Sequence, residues 1–315
     1  MKKTLLSIIF GVITIAAFAQ EQAVYTHYQV FPILVNPGYT GFEDEHQFLG
    51  NARTTWTGFP GRPVNFTAIY HGPVGEKLAL GGGLFSEKVG DMNTVKLNFN
   101  YAFRFRIQKA RIGIGLSTDF INRRVNPDLL GNPLVQPNDD VLENLSDGQQ
   151  IFDASAGTHI LYDERFFVSI TLPNIVRARL DEVPIDQRSQ QTSLFEHYIF
   201  QVGYIVDVPS QNFKIMPSLA FRQIRDTPFQ VDVNVQGRFL DEKLITGLTY
   251  RPSNNGSVGF LIGTKYKALQ LAYSYDVSFS KFQQFNTGSH ELTAAFNLPR
   301  KTPKPVSTDT SDLYQ

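Results

Sequence analysis

The 315-residue sequence contains no cysteine. That excludes a disulfide scaffold, cysteine-ligated zinc, iron–sulfur clusters and thiol catalysis. It has no excess of either charge: 29 Lys+Arg stand against 29 Asp+Glu. A surface that grips nucleic acid through its phosphates needs a basic excess, so no nucleic-acid partner is expected. Chemical motifs are missing too. There is no G-x-S-x-G elbow, no H-E-x-x-H, no phosphate loop and no EF-hand loop. The six histidines (His27, His46, His71, His159, His197 and His290) include no two at metal-ligand spacing. The residues therefore offer no catalytic, cofactor or metal site. After the first two dozen positions no stretch approaches the ~20 apolar residues of a membrane helix.

What is present is aromatic: 26 Phe and 13 Tyr in a chain only 18% charged. Lys2 and Lys3 precede an apolar run from Leu5 to Ala17, followed by Ala17-Phe18-Ala19. This is the charged, apolar and small-residue order of a cleaved export signal, with the cut expected after Ala19. An uncleaved anchor is the weaker reading, because the run is short for a span. Cleavage leaves 27 basic against 29 acidic residues.

From about residue 46 the dominant period is two, the period of strands. Val95, Leu97, Phe99, Tyr101, Phe103 and Phe105 alternate with Lys96, Asn98, Asn100, Ala102 and Arg104. Fourteen such segments are expected: 46–56, 64–71, 78–87, 93–105, 110–122, 152–162, 166–172, 194–206, 213–223, 229–239, 244–251, 257–265, 269–278 and 290–298. Most are the length of a tilted strand crossing a bilayer, and no helix of comparable strength lies between them. Connections after even-numbered segments are tight. Those after odd-numbered segments include the long ones, 123–151, 173–193 and 279–289. A soluble sandwich or solenoid gains nothing from that asymmetry. An outer-membrane barrel does, with short turns facing the periplasm and long loops facing outward.

The expected fold is thus all-β: a transmembrane antiparallel barrel of about fourteen strands. The expected order is 1–19 signal peptide, 20–45 plug or periplasmic segment, 46–299 barrel, and 300–315 disordered tail. Membrane lipid would surround the barrel. Asp139, Asp140, Glu143 and Asp147 read as a solvated acidic loop rather than a calcium site. Gly81-Gly82-Gly83 reads as small residues in a crowded barrel wall rather than a phosphate loop. Inward-facing candidates Lys96, Arg104, Asp119, Arg123, His197, Asp232 and Arg238 mix both signs of charge, and so favour neither a cation nor an anion channel.

Three stretches carry a family resemblance. Gln22 to Tyr28 and Phe31-Pro32 lead to Asn36-Pro37-Gly38-Tyr39-Thr40-Gly41. Arg53 and Trp56 follow at the first strand. Tyr273-Ser274-Tyr275-Asp276 and Gly288-Ser289-His290-Glu291 form a closing hairpin. In these stretches, at Asn36, Pro37, Tyr39, Gly41, Arg53, Trp56, Tyr273, Tyr275, Asp276, Gly288, Ser289, His290 and Glu291, the chain resembles the PorP/SprF family of type IX secretion outer-membrane proteins of the Bacteroidetes lineage. It departs from that pattern in lacking the first Asn and the Ser-Gln pair near its start. The resemblance implies a barrel that is not an enzyme. Such a barrel works with a secreted client, an adhesin of gliding or attachment, or with periplasmic machinery. A small-solute channel is the alternative, and an outer-membrane hydrolase ranks last. From the residues themselves, Asn36-Pro37-Gly38 suits a rigid turn, since Pro fixes φ and Gly tolerates positive φ. Asp276 and Glu291 fall on neighbouring strands, as a seam network or a binding site.

Overall fold

The computed structural model describes residues 25–131, 140–176, 178–180, 197–224, 229–252 and 256–300. The expected signal peptide, the expected tail after residue 300 and most of the 173–193 loop lie outside them. Fourteen strands close into one antiparallel barrel: β1 Glu45–Thr54, β2 Val64–Val74, β3 Leu78–Val89, β4 Met92–Ile107, β5 Ala110–Val125, β6 Gln149–Tyr162, β7 Phe166–Leu172, β8 Tyr198–Tyr204 with a continuation at Val206–Val208, β9 Phe213–Gln223, β10 Gln230–Phe239, β11 Leu244–Arg251, β12 Ser257–Tyr266, β13 Leu269–Ser278 and β14 Ser289–Pro299. Each pairs with its chain neighbours. The ring shuts where β1 pairs β14 in an unbroken ladder from Glu45↔Pro299 to Thr54↔His290. Closure leaves no unpaired edge in a solvent that cannot hydrogen-bond to one.

Alternation decides which residues face where. On β4, Leu97, Phe99, Tyr101 and Phe103 are each 44–50% exposed on the outer face, whereas Asn98, Asn100 and Arg104 are buried inside. The same parity puts Phe48, Phe66 and Phe260 outward, and Asn51, Asn234 and Thr249 inward. An apolar exterior around a polar interior is the inverse of a soluble domain and the arrangement a bilayer requires.

The two ends differ. At one, connections are short: 75–77, 108–109, 163–165, 240–243 and 267–268. The left-handed backbone of Gln108, Asp163, Glu164, Leu240, Asp241, Glu242 and Lys267 lets these chains reverse in so few residues. The other end carries the long loops and an irregular rim. Leu172, the end of β7, is level with Ala156 of β6, Leu116 of β5 and Tyr101 of β4, yet β4 continues nine residues further to Met92. β3–β6 thus rise as a tall wall opposite a lower one. A short helix, Asp140–Asp147, sits in the loop beyond β5. Its eight residues were too few for helical periodicity to stand out in the sequence.

Residues 25–44 run through the interior. Three single 3₁₀ turns, His27–Gln29, Pro32–Leu34 and Pro37–Tyr39, fold the segment into the lumen. Phe31-Pro32 and Asn36-Pro37 explain two of them, because proline at the first position of a turn fixes φ and needs no donor. The apolar side (Tyr25, Val30, Phe31, Ile33 and Leu34) packs on Leu49, Ile69, Ile245, Leu261, Ala272 and Ala295 of the inner wall. Each fully buried large side chain there contributes about 2 kcal/mol.

Candidate functional site

The segment is held at three levels, and these carry most of the polar chemistry of the lumen. The uppermost lies toward the long-loop end. Arg53 of β1 donates to Glu291 of β14 and to Asp276 of β13, both at 2.8 Å. Arg251 of β11 reaches Asp276 at 3.5 Å and Asp232 of β10 at 3.4 Å, and Arg222 of β9 bonds to Asp232. Three guanidinium groups balance three carboxylates, all on buried residues. Such a cluster survives away from water only because every charge has a partner.

The plug threads this cluster. The Thr26 backbone N–H donates to Glu291 at 2.7 Å, its hydroxyl donates to Asp276 at 2.8 Å, and Arg251 donates to the same hydroxyl at 2.9 Å. The Tyr28 hydroxyl donates to Asp232 at 2.9 Å and accepts from Asn234 at 2.9 Å. Gln29 donates to Asn234 at 2.9 Å and Thr249 at 2.6 Å. His27 Nδ1 meets Thr293 at 2.6 Å. Burial holds its imidazole below its ordinary range, so beside Glu291 it acts as a neutral hydrogen-bonding ring rather than a fourth cation.

At mid-lumen the Asn36 side-chain oxygen accepts from Gly38 N–H at 2.7 Å. Its amide donates to Ser169 at 2.6 Å and to the Thr158 carbonyl at 3.1 Å. This turn lies flat on three glycines of β5 and β6. A Cβ at Gly113 would strike the Gly38 carbonyl oxygen, one at Gly115 the Pro37 carbonyl oxygen, and one at Gly157 the Asn36 side chain. The glycines are there because backbone must approach backbone. Asn36→Ala should therefore cost about 2 kcal/mol, the loss of a buried amide with three partners. Urea unfolding in detergent reads it, and a shift under about 0.5 kcal/mol would remove the turn from the account.

The lowest level is the exit at the short-turn end. Gly41, at φ +61°, donates its N–H to His71 at 3.0 Å and offers its carbonyl to Arg104 at 2.5 Å. Arg104 also pairs with Asp44 at 3.1 Å. Tyr39 donates to Glu43, which pairs with Arg111 at 3.3 Å.

The motif positions divide in two. Asn36, Pro37, Tyr39, Gly41, Arg53, Asp276 and Glu291 lie within the lumen, on the plug or touching it. Ser289 is buried at the seam mouth, where its hydroxyl accepts from the Trp56 N–H at 3.2 Å. Tyr273, Tyr275 and His290 lie outside: Tyr273 meets His290 at 2.7 Å and Tyr275 donates to the Thr287 carbonyl. Trp56 sits past the end of β1 at φ +55° against Phe282, and Gly288 reverses the chain at φ +91°. The structure adds Thr26, Tyr28, Arg222 and Arg251, which sequence reasoning did not single out. Their pairing depends on barrel register, although strand parity alone puts Arg222 and Arg251 on the inner face.

No curated protein matches the chain by sequence. Solved structures similar to it include the Pseudomonas putida toluene transporter TodX (TM-score 0.46, 9% identity, covering 85% of this chain and 93% of that one). Another is the Acinetobacter baumannii outer membrane protein Omp33 (0.43, 9%, 82% and 99%). A third is a Pseudomonas aeruginosa FadL homologue (0.40, 9%, 80% and 86%). The family model for the type IX secretion system membrane protein PorP/SprF matches residues 17–296. The chain belongs to the PorP/SprF family of type IX secretion system membrane proteins.

Proposed function

We propose that this barrel is a docking component rather than a pore. It pairs with a secreted type IX surface protein of the adhesin or gliding type and retains it at the outer membrane, or couples it to the periplasmic machinery. Short turns face the periplasm and long loops meet the client. The supporting observation is the anchored plug: residues 25–44 lie in the lumen and are bonded to the inner wall at three levels. A chain built to conduct a solute gains nothing from a plug fixed so often. The barrel acts through its surfaces and performs no catalysis.

The test is a mild-detergent pull-down of the tagged barrel from its own outer membrane, with bound proteins identified by mass spectrometry. The expected result is one large exported protein in near-stoichiometric amount, lost when residues 126–148 are replaced by a short linker. A barrel recovered alone, with conductance in a planar bilayer, would replace this reading with the small-solute channel.

A further inference from the structure

Above the mid-lumen turn the plug does not fill the barrel. A pit of about 160 Å³ remains between plug residues Ile33–Val35 and the inner face of the tall wall β3–β6. It descends from the level of Thr94 to that of Asn100 on β4. At ~3.3 Å per residue and a strand tilt of ~40°, that is roughly 15 Å. Its two sides differ in chemistry. Ile33 and Leu34 of the plug, with Ile199 and Ile224, make one side apolar. The opposite side is a column of hydrogen-bonding groups.

Two features of that column are unused. The hydroxyls of Ser117 and Ser155 line the pit, and among the described residues neither makes a side-chain hydrogen bond. Arg123, near the mouth, forms no ion pair or hydrogen bond among the described residues, and its Nε is buried without a partner. Glu87, a lining acid whose charge Arg123 feels without a direct contact, is bonded to the Asn65 amide at 2.7 Å. The other lining cations are engaged, Lys96 by Asp119 at 3.4 Å and Arg222 by Asp232.

We infer that the pit receives an extended peptide segment of the exported partner, entering from the long-loop side. An acidic side chain of the segment meets Arg123, and apolar side chains rest on the plug. This rests on the docking reading above and names the contact. An alkyl chain would fit the apolar side, but it would desolvate Ser117, Ser155 and the Asn98–Asn100 amides without replacing water. A peptide main chain supplies donors and acceptors along its length and apolar groups on alternate sides, which matches a two-sided pit. The plug then has a positive role as the floor and apolar wall of a binding site.

The test uses the full-length barrel in its own outer membrane, with a benzophenone amino acid at Ile121, which lines the pit, or at Phe120, which faces outward. On irradiation the Ile121 position should crosslink to the protein recovered in the pull-down, at one short segment containing Asp or Glu, and the Phe120 position should not. Arg123→Glu should cut the yield at least tenfold at unchanged barrel abundance, and Arg123→Lys should restore most of it. Recovery of the partner with no crosslink from Ile121, or with a crosslink insensitive to Arg123→Glu, overturns the pit as its seat while leaving docking intact. A crosslink from Ile121 to the barrel's own chain assigns the pit to that chain and overturns the inference. Absence of any partner in the pull-down removes both.

Discussion

Replacing Arg53 by methionine should lower the thermal midpoint of the detergent-solubilised barrel by about 10 °C. Methionine keeps much of the length and packing of the side chain and removes only the charge and its donors. Glu291 then retains the Thr26 N–H and the Asn51 amide, at 2.8 Å, but loses its cation. Asp276 keeps the Thr26 hydroxyl but, of its two cations, only the more distant Arg251. Stranding a buried carboxylate costs about 3–5 kcal/mol, and for a chain of this size each kcal/mol moves the midpoint by roughly 2–4 °C. Arg106, paired with Glu164 at 3.5 Å with both side chains largely exposed, is the contrast. Arg106→Met should change stability by less than about 1 kcal/mol. A second substitution sharpens the test. Adding Glu291→Gln to Arg53→Met should recover part of the loss, because the stranded charge is gone. Equal midpoints for Arg53→Met and Arg106→Met would show that the cluster does not hold the plug.

The second large effect is steric. Gly115→Val places branched carbon where the Pro37 carbonyl lies, and neither backbone can retreat, since β5 is hydrogen-bonded on both sides. Overpacking a tight contact costs about 1–3 kcal/mol. Gly113→Val repeats it against Gly38, so the double variant should displace the turn. The expected readouts are hydrogen-exchange protection lost across residues 31–41 and the appearance of single-channel conductance, with the strand ladders still protected. Gly50→Ala is the control, for nothing lies within 4 Å of its added carbon. Protection of residues 31–41 equal to that of the parent protein would sink the glycine cradle as the seat of the plug.

The strands were legible in the sequence because a bilayer and a polar lumen impose opposite demands on alternate residues. All fourteen expected segments appear as strands, displaced by three residues or fewer at most boundaries. Where they differ most the cause is physical. β8 is described from Tyr198, the expected residues 194–196 lying outside the described ones, and its ladder is interrupted at Ile205, between its two parts. β4 and β5 run to sixteen residues because they continue past the membrane band into the tall wall. The candidate site was half legible. Arg53, Asp276 and Glu291 stood out as motif positions, and adjacency of the last two strands put two carboxylates side by side. Arg251 and Arg222 could not be attached to them. Both reach Asp232 from the strands that flank β10, which depends on register, and Arg251 reaches Asp276 past β12, which depends on curvature. The seating of Asn36 was hidden for another reason. Nothing in the spacing of Gly113, Gly115 and Gly157 says that a segment about 75 to 120 residues earlier lies on them.

The seam has a consequence for assembly. Arg53 and Asn51 stand on the first strand, Glu291 and Thr293 on the last, and the plug touches both strands, with Thr26 and Glu291 separated by 265 residues of chain. Joining β1 to β14 is the step that turns a curved sheet into a ring. Drawing residues 25–44 through a finished ring would drag buried polar groups past a charged cluster already paired with itself. Seating the segment while the sheet is still open avoids that passage, and closure then locks it in. Without the segment the two edges would still bring Arg53 to Asp276 and Glu291, but Glu291 would lack the Thr26 N–H and Asp276 the Thr26 hydroxyl. A ring joined around the segment thus satisfies more of its buried polar groups than one joined around an empty channel.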